Sequence, residues 1–517
     1  MRATSGAVAG LTAPALWVGR ANARIADHPF RLGVASGSPG PTGMVLWTRL
    51  APRPLLPGAG MTPEPVDVRW EVAVDPALTR IVRSGTARAE AAWAHSLHVE
   101  VDGLEPARWY WYRFSVDGWA SPTGRTRTLP PVGRPLDRWR MVVACCQDWE
   151  DGYFAGHRHI AAEDADLVLF LGDYIYEGEP LGRPSKKKYA MVRRYDHEPP
   201  RTLDEYRAHY ELYKVDSDLQ ACHAALPWVS TTDDHEVEND YSNNISPTHR
   251  SPELMLPRRA AAYQAYWEHM PLPLSARPRG PDMDLHHAFD IGDLMRIYVL
   301  DERQYRHHLA CPAPGKAGSR NIDPHDCEGM DDPQRSMLGW PQERWLDEAI
   351  GGSRARWNVL AQQTLVAPLD RQPGPKELIK TDSWEGFPAA RERLIARLAR
   401  PDAANPVLFG GDMHAFFAAA LHRQPDNVSS AMVASEFVAS SLSTGGRDPR
   451  EFATWVVDNP HLLYASTDYR GYIVVDLAPD VMRVTYRALE NAADPKSGTR
   501  DLARFAVESG RPWILPG

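Results

Sequence analysis

The hydrophobic rhythm of the chain changes near residue 130. From His28 to Pro130, short apolar stretches alternate with polar residues and are cut by Gly and Pro. Gly43 to Arg49 (GMVLWTR), Val66 to Val74 (VDVRWEVAV), His95 to Val101 (HSLHVEV) and Tyr110 to Val116 (YWYRFSV) predict half-buried strands. No helical periodicity interrupts them, so residues 28–130 read as an antiparallel β-sandwich. Pro130, Pro131 and Pro135 mark a linker.

After Arg138 the apolar runs become continuous: Met141 to Cys145, Leu167 to Leu171, Trp228 to Thr231, Met295 to Leu300, Trp357 to Ala361 and Val407 to Phe409. Such runs suit strands buried on both faces. Between them, Arg258 to His269, Pro341 to Ala349 and Ala389 to Ala399 predict helices. Strands alternating with helices place residues 138–517 in an α/β domain. Gly471 to Leu477 and Val481 to Leu489 predict a closing pair of strands.

Composition refines this picture. A chain of 517 residues exceeds what one core usually supports, in keeping with two domains. A net charge of −9 gives no nucleic-acid-coating surface, and no specific nucleic-acid recognition is expected. An acidic protein still binds a phosphate ester where cations hold the anion. Ala7 to Gly19 is apolar, too short to span a bilayer, and is followed by Ala21-Asn22-Ala23, a cleavage pattern. Residues 1–23 are therefore read as an export signal. Only Arg2 precedes the apolar run, so twin arginines of an export signal would stand ahead of Met1. Cleavage would remove Arg2 and Arg20 and take the charge from −9 to −11. Cys311 and Cys327 bracket a Pro/Gly/Asp-rich loop and are disulfide candidates, while Cys222 sits among apolar residues.

Four buried strands end in clusters of potential metal ligands. They are Cys146-Gln147-Asp148, Gly172 to Glu177 (GDYIYE), Thr232 to Asp240 (TDDHEVEND) and Gly410 to His414 (GGDMH). Any one of them alone is a turn or a helix cap. Together they are not, because ligands of α/β sheets bind outside the carboxyl ends of strands and clustered carboxylates repel unless cations neutralise them. Carboxylates suit hard cations; a thiolate and an imidazole suit zinc or iron; a phenolate at Tyr176 points to Fe³⁺. This mixture predicts metal-assisted hydrolysis: one metal generates a hydroxide nucleophile while its neighbours hold the ester oxygens, and His235 protonates the leaving oxygen or stabilises the transition state.

These segments resemble the PhoD-type alkaline phosphatases and phosphodiesterases of the calcineurin-like metallophosphoesterase superfamily. Cys146-Gln147 is similar to the family's S-C-Q, Leu171 to Glu177 to its L-G-D-Y-I-Y-E, Asp233 to Asn239 to its counterpart of G-N-H-[DE], and Gly411 to His414 to the closing G-D-x-H. Arg258 to Pro271, Trp357 to Gln363 and Glu436 to Gly446 agree as well. The resemblance implies a four-layer αββα catalytic domain, Fe³⁺ with one or two Ca²⁺, and twin-arginine export. It assigns Cys146, Asp173, Tyr176, Asp412 and His414 to iron, with Asp173 bridging, and Asp234 and Asn239 to calcium. Cys145 stands where the family commonly has Ser. Strand alternation would point the two cysteines to opposite faces, and Cys146 is chosen because Gln147 follows it. Asp240, Thr232, Glu385 and Phe387 also depart from the common pattern.

The expected protein is a secreted or periplasmic monomer, without a transmembrane anchor, that hydrolyses phosphate mono- or diesters. A phospholipase D acting on lipid phosphodiesters is the enzymatic alternative. A metal-bearing wall- or polymer-binding protein is the non-catalytic one, and it has no use for a complete hydrolytic set. Lys186, Lys187, Lys188, Arg193 and Arg194 read as a solvated loop or as a lid drawing in anionic substrates.

Overall fold

A computed structural model describes residues 25–181, 191–248, 250–425 and 427–517. The proposed signal and Lys186 to Lys188 lie outside them. Two sheets face one another. The ten-stranded sheet has at its centre the mutually parallel strands Trp139–Ala144, Leu167–Phe170 and Pro227–Ser230. The seven-stranded sheet has the parallel strands Met295–Val299, Trp357–Ala361, Pro406–Gly410 and Met432–Val438.

Strand alternation divides the core into layers. Met141, Val143, Leu167 and Leu169 point toward Val359, Val407, Phe409 and Phe437 of the facing sheet. Val142, Ala144, Val168 and Phe170 point the other way, onto aromatic residues of helices Leu203–Lys214 and Pro252–His269. Outside the second sheet, Leu360 and Leu408 meet helices Trp340–Gly351 and Pro388–Leu398. The result is a helix–sheet–sheet–helix stack. It buries both faces of each sheet, which is why the central strands carry unbroken apolar runs. The closing pair Gly471–Leu477 and Val481–Leu489 forms as expected, and Thr499–Glu508 and Ile514–Pro516 extend the same sheet beyond it.

The N-terminal strands also pack as two layers. Ile81–Ala89, Val66–Ala73 and Trp109–Val116 form one sheet, whose Val68, Val72, Tyr110, Tyr112 and Phe114 pack on Val34, Leu46, Leu97 and Val99. The opposing layer, Val34–Gly37, Met44–Arg49 and Ser96–Val101, is not separate from the α/β part of the chain. Ser36 and Gly37 pair in parallel with Pro227 and Trp228, so these strands continue the ten-stranded sheet. Gly37 allows the join, because a Cβ there would lie 2.4 Å from the Pro271 carbonyl oxygen.

Cys311 and Cys327 form the expected disulfide, and Cys145, Cys146 and Cys222 are buried free cysteines. No helix among the described residues is long and apolar enough to cross a membrane.

Phe409 lies between the sheets, fully buried and stacked on Phe437 with ring centroids 6.0 Å apart. Phe409→Ala is expected to cost about 3–5 kcal/mol through lost transfer energy and an unfilled cavity, measured as a lower denaturant midpoint.

Candidate metal centre

The ligand-rich loops leave their strands side by side. Leu171 N–H still bonds the Ala144 carbonyl at 2.9 Å; beyond it Cys146 N–H donates to the Gly172 carbonyl at 3.1 Å and Gln147 N–H to the Asp173 carbonyl at 3.0 Å. Cys146 and Asp173 are thereby held abreast. Gly172 is required in this turn: its φ is +103°, and a Cβ would lie 2.5 Å from Asp233 N. Glu236 ties the next loop in, its carboxylate accepting from Tyr174 N–H and, at 2.8 Å, from Asp233 N–H.

Cys146, Asp173, Asp412 and His414 all adopt left-handed backbone conformations, with φ of +57°, +57°, +60° and +52°. Each costs roughly 1–3 kcal/mol in a residue other than glycine. Strain concentrated on four of the seven expected metal residues marks a site held by its surroundings. It also replaces the alternation argument for the two cysteines. The strand ends at Ala144, and both cysteines enter the inter-sheet core. Cys145 Sγ faces the carbonyls of Ala439 and Ser440 at 3.8 Å each and packs against Gly411, where a Cβ would come within 2.7 Å of the sulfur. Cys146 instead gathers with Asp173 and His414.

Four overlapping groups have ligand atoms within 4.8 Å of one another: Cys146, Asp173 and His414; Asp173, Asp234 and His235; Asp233, Asp234 and Asp412; Asp234, Asp240 and Asp382. Tyr176 belongs with the first, its hydroxyl donating to Asp173 Oδ2 at 2.7 Å and lying 3.0 Å from His414 Nε2. Asn239 is exposed and meets the site through its backbone N–H, 2.8 Å from Glu177 Oε1; Asp240 is the neighbour that joins Asp234 and Asp382. His235 Nδ1 lies 2.6 Å from Glu177 Oε2, and its ring packs 4.1 Å from the Tyr176 ring centroid.

The electrostatics require compensation. Burial pushes the Cys146 thiol, the Asp173 and Asp412 carboxyls and the Tyr176 phenol up, Asp173 adding to the rise at Tyr176. Burial also holds His414 neutral. At His235 burial opposes the charge, but Glu177, Asp173 and Asp234 outweigh it and raise the imidazole well above its usual range. Glu177, against the effect of burial, is lowered to about 2 chiefly by His235. Two carboxylates ~4 Å apart repel by ~4 kcal/mol at an effective dielectric of 20. Asp234 Oδ1 and Asp233 Oδ2 are buried without a hydrogen-bond partner. An orphaned carboxylate oxygen beside thiol, phenol and imidazole donors fits a soft or ferric cation on one side and a hard cation on the other.

Part of the compensation is built in, and sequence reasoning missed it. Arg303 is fully buried and bonds Asp233 and, at 2.8 Å, Asp382; its Nη1 lies 3.7 Å from Asp234 and its Nη2 3.6 Å from Asp412. Arg306 bonds Asp382 at 2.9 Å, and Lys380 reaches Asp240 at 3.2 Å. Arg303 belongs to Asp301-Glu302-Arg303-Gln304, directly after the strand Met295–Val299 and the residue Leu300. The strand-end rule that found four clusters would have found this fifth, had cations been counted with ligands. Arg193 bonds the carbonyls of Trp149 and Gly152 at 2.8 and 2.7 Å and stacks near Trp149, so it braces that loop; Arg194 is exposed.

Two facing sheets between helical layers, with metal-ligand types crowding one set of strand ends, define a four-layer αββα metallophosphoesterase fold. The sequence matches the PhoD-like phosphatase family over residues 141–486 and the PhoD-like phosphatase N-terminal domain over residues 14–130. It is 42% identical over 491 residues to alkaline phosphatase D of Bacillus subtilis (strain 168), spanning 94% of this chain and 82% of that protein. A solved structure of PhoD aligns with a TM-score of 0.90 at 41% identity, covering 96% of this chain and 93% of that one. The chain belongs to the PhoD-like phosphatase family.

Arg303→Met would leave Asp233 and Asp382 short of their buried counter-charge. It is expected to cost about 3–5 kcal/mol, seen as a lower unfolding midpoint in metal-free protein.

Proposed function

We propose that this protein is an exported, metal-dependent hydrolase of phosphate mono- and diesters, with residues 1–23 serving in its export signal. The observation that carries the reading is the convergence of Cys146, Asp173, Tyr176, Asp234, His235, Asp412 and His414 from separate strand ends into overlapping groups. The family membership supports it, as does the name of the Bacillus subtilis relative.

Cys146, Tyr176, Asp412 and His414 would hold Fe³⁺, Asp173 would bridge, and Asp234 would serve Ca²⁺, with Asp240 beside it in place of the exposed Asn239. Bound there, the cations supply Lewis acidity and a nucleophile at neutral pH. The chain's own residues do the rest. Glu177 fixes the His235 ring through Nδ1 and favours its protonated form, so Nε2 is the nitrogen left to donate a proton to the leaving oxygen. Tyr176 supports the same ring from one face. Arg303, locked by Asp233 and Asp382, keeps positive charge beneath the carboxylates whether or not substrate is bound.

His235→Ala is expected to lower kcat for bis(p-nitrophenyl) phosphate by about 10²–10⁴-fold with metal content retained. Full activity in that variant would remove His235 from the chemistry. Exhaustive chelation is expected to abolish hydrolysis, and activity that survives in metal-free protein would overturn the reading. Headgroup release from phosphatidylcholine vesicles, outpacing cleavage of the aryl diester, would mark a phospholipase D instead.

A further inference from the structure

One of the four acidic groups already contains a cation of the chain's own. Asp234, Asp240 and Asp382 bring carboxylate oxygens within 4.8 Å of one another. Lys380 Nζ lies 3.2 Å from Asp240 Oδ1 and 3.9 Å from Asp382 Oδ2. Its side chain is 24% exposed, against 14% for Asp240 and 1% for Asp382, so this is no freely solvated surface pair. Asp240 N–H donates to Asp234 Oδ2 at 2.6 Å, which ties the remaining carboxylate to the same turn.

A pinned ribbon holds the lysine there. Ile379–Lys380 pairs antiparallel with Asn321–Ile322, which lies inside the loop closed by the Cys311–Cys327 disulfide. Ile322, Cys327 and Ile379 pack together with Ala310 and Met330. Arg320 N–H donates to Thr381 Oγ1 at 3.2 Å, and Thr381 N–H donates to the Arg320 carbonyl at 3.1 Å. Ser319, one residue earlier in the same loop, donates its hydroxyl to Asp240 Oδ2. The loop therefore grips both partners of the Lys380–Asp240 pair.

Little is left in this group for a metal. Asp240 engages Lys380 through Oδ1 and Ser319 through Oδ2; Asp382 engages Arg306 through Oδ1 at 2.9 Å and Arg303 through Oδ2 at 2.8 Å. Of the three, Asp234 alone keeps a buried oxygen, Oδ1, without a hydrogen-bond partner, and Asp234 also belongs to the group with Asp173 and His235. Ca²⁺ takes about 6–8 oxygen ligands, and here one unengaged carboxylate oxygen is on offer. A divalent ion would also stand beside a compact ammonium, at twice the repulsion of two single charges. We propose that the Lys380 ammonium is the resident cation of the Asp234–Asp240–Asp382 group, so that this group takes no metal ion and a hard cation binds only on the Asp173 side of Asp234. This deepens the metal-dependent reading above and rests on it. Asp240 then stands beside the calcium position with its charge already matched, and of the one or two calcium ions expected the protein binds one.

Calcium bound per chain, measured by elemental analysis after dialysis against buffered free Ca²⁺, tests this on the intact protein. The wild type is expected to hold one ion. Lys380→Ala should hold two, because loss of the ammonium frees Asp240 Oδ1, and its melting temperature should climb more with added Ca²⁺ than that of the wild type. Lys380→Arg should keep the wild-type count, and Lys380→Ala combined with Asp240→Ala should return to it. Should Lys380→Ala fail to fold without calcium, Lys380→Gln carries the same comparison, since it removes the charge and keeps much of the bulk. Two ions in the wild type, equal counts in wild type and Lys380→Ala, or an extra ion that survives loss of Asp240 would overturn the inference. No ion in the wild type and one in Lys380→Ala would uphold it and take calcium out of the reading above. Hydrolysis of bis(p-nitrophenyl) phosphate by the wild type is scored separately: its absence would overturn the phosphoesterase reading, while the ion counts still decide the inference.

Discussion

Everything at this site depends on crowding negative charge where two sheets present their strand ends. Asp173, Asp233, Asp234, Asp382 and Asp412 are gathered in overlapping groups with ligand atoms within 4.8 Å, all but Asp412 almost wholly buried. At such spacing mutual repulsion and lost hydration outweigh any single hydrogen bond. The fold answers in two ways. Arg303, Arg306 and Lys380 neutralise the Asp233–Asp382–Asp240 side permanently. On the Cys146–Asp173–Tyr176–His414 side no arginine or lysine forms an ion pair among the described residues; the donors touch one another, and the nearest positive charge is His235, paired with Glu177. That asymmetry separates what the chain compensates itself from what it leaves to bound cations.

The scaffold explains how the crowd is held. Main-chain bonds lock the loops after Ala144 and Phe170 together, and Glu236 clamps the loop after Ser230 to them. Left-handed backbone at Cys146, Asp173, Asp412 and His414 then turns the donors inward. The surrounding sheets and helices are densely apolar, which supplies the rigidity that such conformations need.

Much of this was legible in the sequence, and the failures have physical causes. Continuous apolar runs located the buried strands because both faces of each sheet are covered. Ligand-type residues located the site because they follow those strands directly. The period-two argument failed at Cys145 and Cys146, since the strand ends one residue earlier and a left-handed turn cancels alternation. Arg303 escaped because a search for ligands overlooks the counter-charge that makes the ligands tolerable. Residue 130 marks a change of rhythm, yet Val34–Gly37 pairs with Pro227–Ser230, a contact between segments almost two hundred residues apart that no local pattern reveals.

The most direct test of the account is element-specific anomalous scattering from crystals, recorded on either side of the iron edge and at long wavelength for calcium. The account predicts an iron peak within bonding distance of Cys146, Asp173, Tyr176, Asp412 and His414, and calcium density against Asp234. Iron absent from that position, or a metal coordinated by Cys145 with Cys146 unligated, would contradict it.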